Sequence, residues 1–204
     1  MDIIAPAYGA LGETDRFLRL LADEVAPHPM YASAARTAAN EIAVFMALAA
    51  AEEVGASAAL AVMNERIASP RDRAVYMIHG SEGMTTDGRS LARRLAAADR
   101  LAAAREVADA GWALTISSAF IENAVGGDDA PWLDAIGYVP PPGATVNTAQ
   151  TEVNQMLRRG CHAAALVTAE LGEPGRGQER MAACWRLAQS LYGSGASTLL
   201  RAEA

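Results

Sequence analysis

The chain contains no lysine: all 17 of its basic residues are arginine. Mechanisms that need an amine side chain are thereby excluded, including a phosphate-loop lysine, a pyridoxal Schiff base and a kinase-type lysine. Basic charge is short as a whole, since 24 acids against 17 bases leave a formal charge of −7 over 204 residues. A nucleic-acid binder needs a basic surface to displace counterions, and this balance speaks against one. The local cluster Arg89, Arg93, Arg94, Arg100 and Arg105 is interleaved with Asp99, Glu106 and Asp109. That pattern reads as a solvated helical face laced with ion pairs.

Cysteine is nearly missing. Cys161 and Cys184 lack C-x-x-C spacing, which excludes a zinc ribbon and a disulfide framework, and the expectation is two free, buried thiols. Long apolar runs are missing too. Uncharged, largely apolar stretches such as 42–51 and 110–121 fall well short of the roughly 20 residues of a membrane span. The first six residues carry an acid and no basic segment, so no secretory signal is read there. The expectation is a soluble, cytoplasmic protein. Aromatics amount to 5%, β-branched runs are absent, and period-two alternation is hard to find.

What is present is alanine and a 51% hydrophobic composition arranged at helical period. The reading is all-α: a single domain over 1–204, built as a bundle of about six or seven helices. The first covers 13–25 with Thr14 as cap and Phe17, Leu18, Leu21 and Val25 as its stripe. The second runs from 29 to a left-handed cap at Gly55. It is apolar all round from Ala38 to Ala51 except at Asn40 and Glu41, which places it at the centre of a bundle or in a subunit interface. On the second possibility rests the expectation of a homo-oligomer. A third helix covers 57–68. Ser69-Pro70-Arg71-Asp72 reads as a capping box opening a short helix that ends at His79 and Gly80. A polar loop at 81–88 precedes a long helical segment, 89–123, which Gly111 bends or splits. The irregular stretch 126–146 holds a single turn at 131–136 and a Pro140-Pro141-Pro142-Gly143 hinge. Helices over 147–171, capped by Gly172, and over 178–192, with Met181, Trp185, Ala188 and Tyr192 as a stripe, complete the chain.

Two stretches resemble each other. Thr37-x-x-Asn40-Glu41-Ile42 followed by Ala51-Glu52-Glu53-Val54-Gly55 matches Thr151-x-x-Asn154-Gln155-Met156 followed by Ala169-Glu170-Leu171-Gly172. An internal duplication would make halves 13–69 and 128–190 of a pseudo-twofold unit, joined by 70–127. Chance likeness between alanine-rich helices with glycine caps is the competing account.

Chemistry is sought among polar groups on apolar stripes, because a buried carboxylate must be paired, hydrogen-bonded or neutral. On a straight helix Asp109 falls within the Leu91–Ala98–Ala102–Ile116–Phe120 face with Glu106 on its flank. Either the pair does acid–base or metal chemistry, or Asp109 is a helix-end acid paired with Arg105. Glu41 lies beside the Ile42/Phe45 stripe as a base, a ligand or a structural hydrogen-bonding group. His28 stands between two prolines, His79 ends the short helix, and His162 projects away from its helix's apolar stripe. A di-iron bundle needs two Glu-x-x-His units, and the chain has none. No motif names a cofactor.

Three functions follow. The chain binds a small, largely apolar molecule in an interhelical cleft, with Glu41 and Asp109 orienting it. Alternatively it is an enzyme working on such a molecule, with Glu41 and Asp109 as carboxylates and His28 or His79 as proton carriers. The third reading is a structural subunit of a larger complex. The lack of any catalytic signature favours the first.

Overall fold

Why alanine-rich segments pack side by side is visible in the computed structural model, which describes residues 13–80, 90–115, 160 and 162–192, without the side chains of Arg71 and of 187–192. The chain is all-helical, and its helices pack together as a bundle. Eight α-helices occur among the described residues: α1 (Thr14–Leu20), α2 (Ala32–Glu53), α3 (Ala56–Arg66), α4 (Pro70–Ala74), α5 (Leu91–Ala97), α6 (Leu101–Leu114), α7 (His162–Glu170) and α8 (Pro174–Tyr192). Two π-helical turns, Leu21–Val25 and Val75–His79, extend α1 and α4. Each is closed by a wide-ring bond, from the Ala26 amide to the Leu21 carbonyl at 2.8 Å and from the Gly80 amide to the Val75 carbonyl at 2.9 Å.

The central helix is α2. Five consecutive residues, Asn40 to Val44, are buried, so no side of the helix there faces water. α3, α5 and both π-helical turns pack against it. Beyond Val44 the cover is partial, with Phe45, Met46 and Leu48 half-buried and Ala49 exposed. The main core joins Val44 and Ala47 of α2 to Met63 of α3, Leu91 and Leu95 of α5, Val107 of α6 and Val167 of α7. A separate, smaller core joins Phe17 and Leu21 to Ala35, Ala38 and Ile42.

The turn Val75–His79 lies in the main core, with every residue from Tyr76 to His79 buried. Two glycines admit it. A Cβ on Gly111 would lie 2.8 Å from Ile78 Cγ2, and one on Gly160 would lie 2.8 Å from His79 Cε1. Gly111 is therefore a close-approach residue inside α6 and not the breaker of the long segment. The break falls at Asp99, whose φ is 59°. The Arg100 amide reaches the Leu95 carbonyl at 2.9 Å and the Asp99 amide the Ala96 carbonyl at 3.1 Å. This is the Schellman closure, with aspartate in the place that glycine usually takes. The same closure ends α7 at Gly172, φ 84°, as its sequence predicts.

Other expectations shift in detail. Thr14 is the first residue of α1, and Glu13 precedes it without a side-chain cap. α2 starts at Ala32, after a turn through the two prolines. Gly55 has positive φ, but its ψ of −169° lies outside the left-handed helical region. The Ser69 cap is present, its Oγ accepting the Asp72 amide at 3.2 Å. α8 begins at Pro174, and it buries Gly177, Arg180 and Cys184 in place of the expected Met181 and Trp185. The expected free thiols are corrected as well. Cys184 is disulfide-bonded, and no described cysteine is free. The chain's other cysteine, Cys161, lies outside the described residues, as do the 81–88 loop, the 131–136 turn, the proline hinge and most of the second repeat half.

Candidate functional site

The alanines of α2 have two different consequences. Where they face α3 they allow close packing. Where they face α1 they leave space unfilled. Ala39, Ala43 and Met46 recur at i, i+4 and i+7 on one side of α2. With Leu18 of α1 and Arg66, the last residue of α3, they line a cleft of about 180 Å³. The small core of Phe17, Leu21 and Ile42 lies beside this cleft, and Leu18, Ala39 and Met46 pack against it. Met46 is only partly buried, and its thioether is unbranched and adaptable. Arg66 is the polar member of the lining. Its Nη1 lies 3.9 Å from Asp15 Oδ1 and its Nε 3.6 Å from Glu65 Oε1, both beyond hydrogen-bonding distance.

None of the four side chains singled out in the sequence lines the cleft. Glu41 is buried in α2, two residues along from Ala39 and so on another side of the helix. Its charge is felt by Tyr76 of the π-helical turn. Burial, then Glu41, then Asp72 push the Tyr76 hydroxyl up to about 12, while hydrogen bonds with Thr37 and Asn40 hold it back. The phenol therefore stays protonated at neutral pH. Asn40 is buried as well, so this part of α2 carries a polar patch within an apolar girth.

Asp109 sits elsewhere, between α6 and α8. Arg176 Nη2 donates to its Oδ2 at 2.8 Å, and Arg180 donates to its Oδ1. Arg180 is 4% exposed. It also donates to Thr168 Oγ1 and stacks over Trp112, 5.4 Å from the ring centroid. Burial draws Arg180 below the usual guanidinium range, and Asp109 opposes that shift. Arg176 is pushed up, first by its hydrogen bond to Asp109. The expected partner Arg105 is engaged otherwise, donating from Nε and Nη2 to the Leu171 carbonyl at 3.0 and 2.8 Å. Asp109 departs from the expected face because the break at Asp99 resets the helical phase. Ala104, Val107, Ala108 and Gly111 form the buried side of α6, and Glu106 is exposed.

His79 is buried. Thr115 Oγ1 donates to the Gly111 carbonyl at 2.8 Å, which uses its one proton. His79 Nε2, at 2.7 Å from the same oxygen, must therefore be the donor, and this fixes the Nε2–H tautomer. His28 is exposed and meets Tyr31 edge to face, with ring centroids 6.4 Å apart. Among the described residues, no three His, Cys, Asp or Glu side chains converge as a metal site would require, and no helix is long and apolar enough to cross a membrane.

Sequence reasoning missed Arg66, Tyr76 and Arg180. A usable signal existed for Arg180. Pro174 suits the first helical position, and counting from it puts Gly177, Arg180 and Cys184 on one face. Comparison with protein families, characterised proteins and solved structures finds no match for the chain.

Proposed function

We propose that the protein binds a small, largely apolar molecule in the cleft between α1 and α2. One observation carries this reading: about 180 Å³ of space walled by Leu18, Ala39, Ala43 and Met46. A dry apolar cavity of about 150 Å³ accepts benzene, so the cleft suits a ligand of one ring or a short branched chain. Glu41 and Asp109 belong to the packing of the bundle in this reading and do not orient the ligand. The enzyme alternative draws no support from the geometry, because the residues assigned to it are absent from the cleft lining.

The homo-oligomer keeps its sequence argument, since Phe45, Met46 and Leu48 of α2 are only half-buried and Ala49 is exposed. The disulfide at Cys184 favours an oxidising compartment over the cytoplasm expected from the sequence. Titration with toluene, followed through the Met46 methyl resonance, tests the binding reading. A saturable shift of Met46 that Ala39→Leu abolishes by filling the cleft is expected. A Met46 methyl that does not respond overturns the reading.

A further inference from the structure

We infer that the ligand of the α1–α2 cleft carries a carboxylate, and that Arg66 receives it. The inference rests on the binding reading above and adds the chemical class of the ligand. Four of the residues that line the cleft have apolar side chains, and the fifth is an arginine with a 35% exposed side chain.

That arginine is not engaged as others in the molecule are. Arg93 grips Glu170 through Nε and Nη2 at 2.8 and 3.1 Å. Arg105 holds the Leu171 carbonyl through two nitrogens, and Arg73 Nη1 donates to the Ile67 and Ala68 carbonyls at 2.9 and 3.1 Å. Among the described residues Arg66 has only long ion pairs. Its two acidic neighbours stand 3.6 and 3.9 Å away, and both are 71% exposed. Ion pairs of that length in water contribute little and are easily exchanged.

A guanidinium presents five N–H donors in a planar fork that matches a carboxylate through two parallel bonds. A carboxylate at the mouth with its apolar body among Leu18, Ala39, Ala43 and Met46 satisfies both halves of the site at once. Asp15 and Glu65 then turn to solvent, which their exposure already allows. A cationic head meets the like charge of Arg66, and a neutral acceptor forms weaker bonds with the fork because it brings no opposite charge.

The test compares benzoate with benzyl alcohol, similar in size but uncharged, by calorimetry and by the Met46 methyl resonance. Benzoate is expected to bind about tenfold more tightly than benzyl alcohol, the scale of one charge-assisted hydrogen bond. Arg66→Gln should erase that preference while the helical circular dichroism stays unchanged. Added salt should weaken benzoate alone. Equal binding of the two probes, indifferent to Arg66→Gln, overturns the carboxylate inference and leaves the cleft standing. Benzoate binding that depends on Arg66 but survives Ala39→Leu is surface ion pairing, and it also overturns the inference. If neither probe moves Met46, the cleft reading falls and takes the inference with it.

Discussion

Two ends of this bundle treat arginine in opposite ways. Across α5, α6, α7 and α8, Arg93, Arg105, Arg176 and Arg180 are all committed to carboxylates, carbonyls or a hydroxyl. One of them, Arg180, is almost wholly withdrawn from water. Where α1, α2 and α3 meet, Arg66 faces a cleft with only distant acids for company. The first arrangement is a clamp. Its centre, Arg180, is desolvated and so must be satisfied internally, which ties α8 to α6 and α7. The second leaves donors and space unused, and a ligand can use both. In a chain without a catalytic motif, the contrast between spent and spare polar capacity is the better guide to function.

The largest effect should come from breaking the clamp. Asp109→Ala leaves Arg180 buried without its carboxylate. A loss of about 3 kcal/mol is expected in denaturant unfolding, at the low end for a buried pair because the Asp109 side chain is 39% exposed. A loss below about 1 kcal/mol would mean that Thr168 and Trp112 suffice to hold Arg180. The disulfide at Cys184, on the same helix as Arg180, comes next. Reduction should lower stability by about 2 kcal/mol, seen as a fall in Tm with dithiothreitol. An unchanged Tm would show that the clamp alone secures α8. Arg66→Gln should matter least, changing stability by less than about 0.5 kcal/mol, because it removes only long, exposed ion pairs. A larger loss would place Arg66 among the structural arginines and erase the contrast between the two ends.

The helices themselves were legible because amphipathic period and caps act locally. The Ser69 cap, the Gly172 closure and the apolar girth of α2 follow from residues within a few positions of one another. The break in the long segment was not legible. Glycine is the usual breaker, yet Gly111 stays helical because Ile78 needs the room, and Asp99 takes the left-handed turn. Placing the break correctly moves Asp109 from the centre of an apolar face to an ion-paired edge. Glu41 was rightly marked as a polar group inside an apolar helix, but its surroundings, Tyr76 among them, come from a segment more than thirty positions away. The cleft left no mark in the sequence, since alanine at 39 and 43 reads the same whether a neighbour fills the space beside it or not.

The amino-acid order alone settled that this chain is helical and that lysine chemistry is impossible. Those outcomes depend on side-chain type and on spacing within a few helical turns. Packing between distant segments decided which arginines are locked, that Arg66 is left beside a void, and which face of α8 turns inward. Each of these depends on how far apart two helix axes stand, a distance set by glycines and alanines meeting residues remote in the chain.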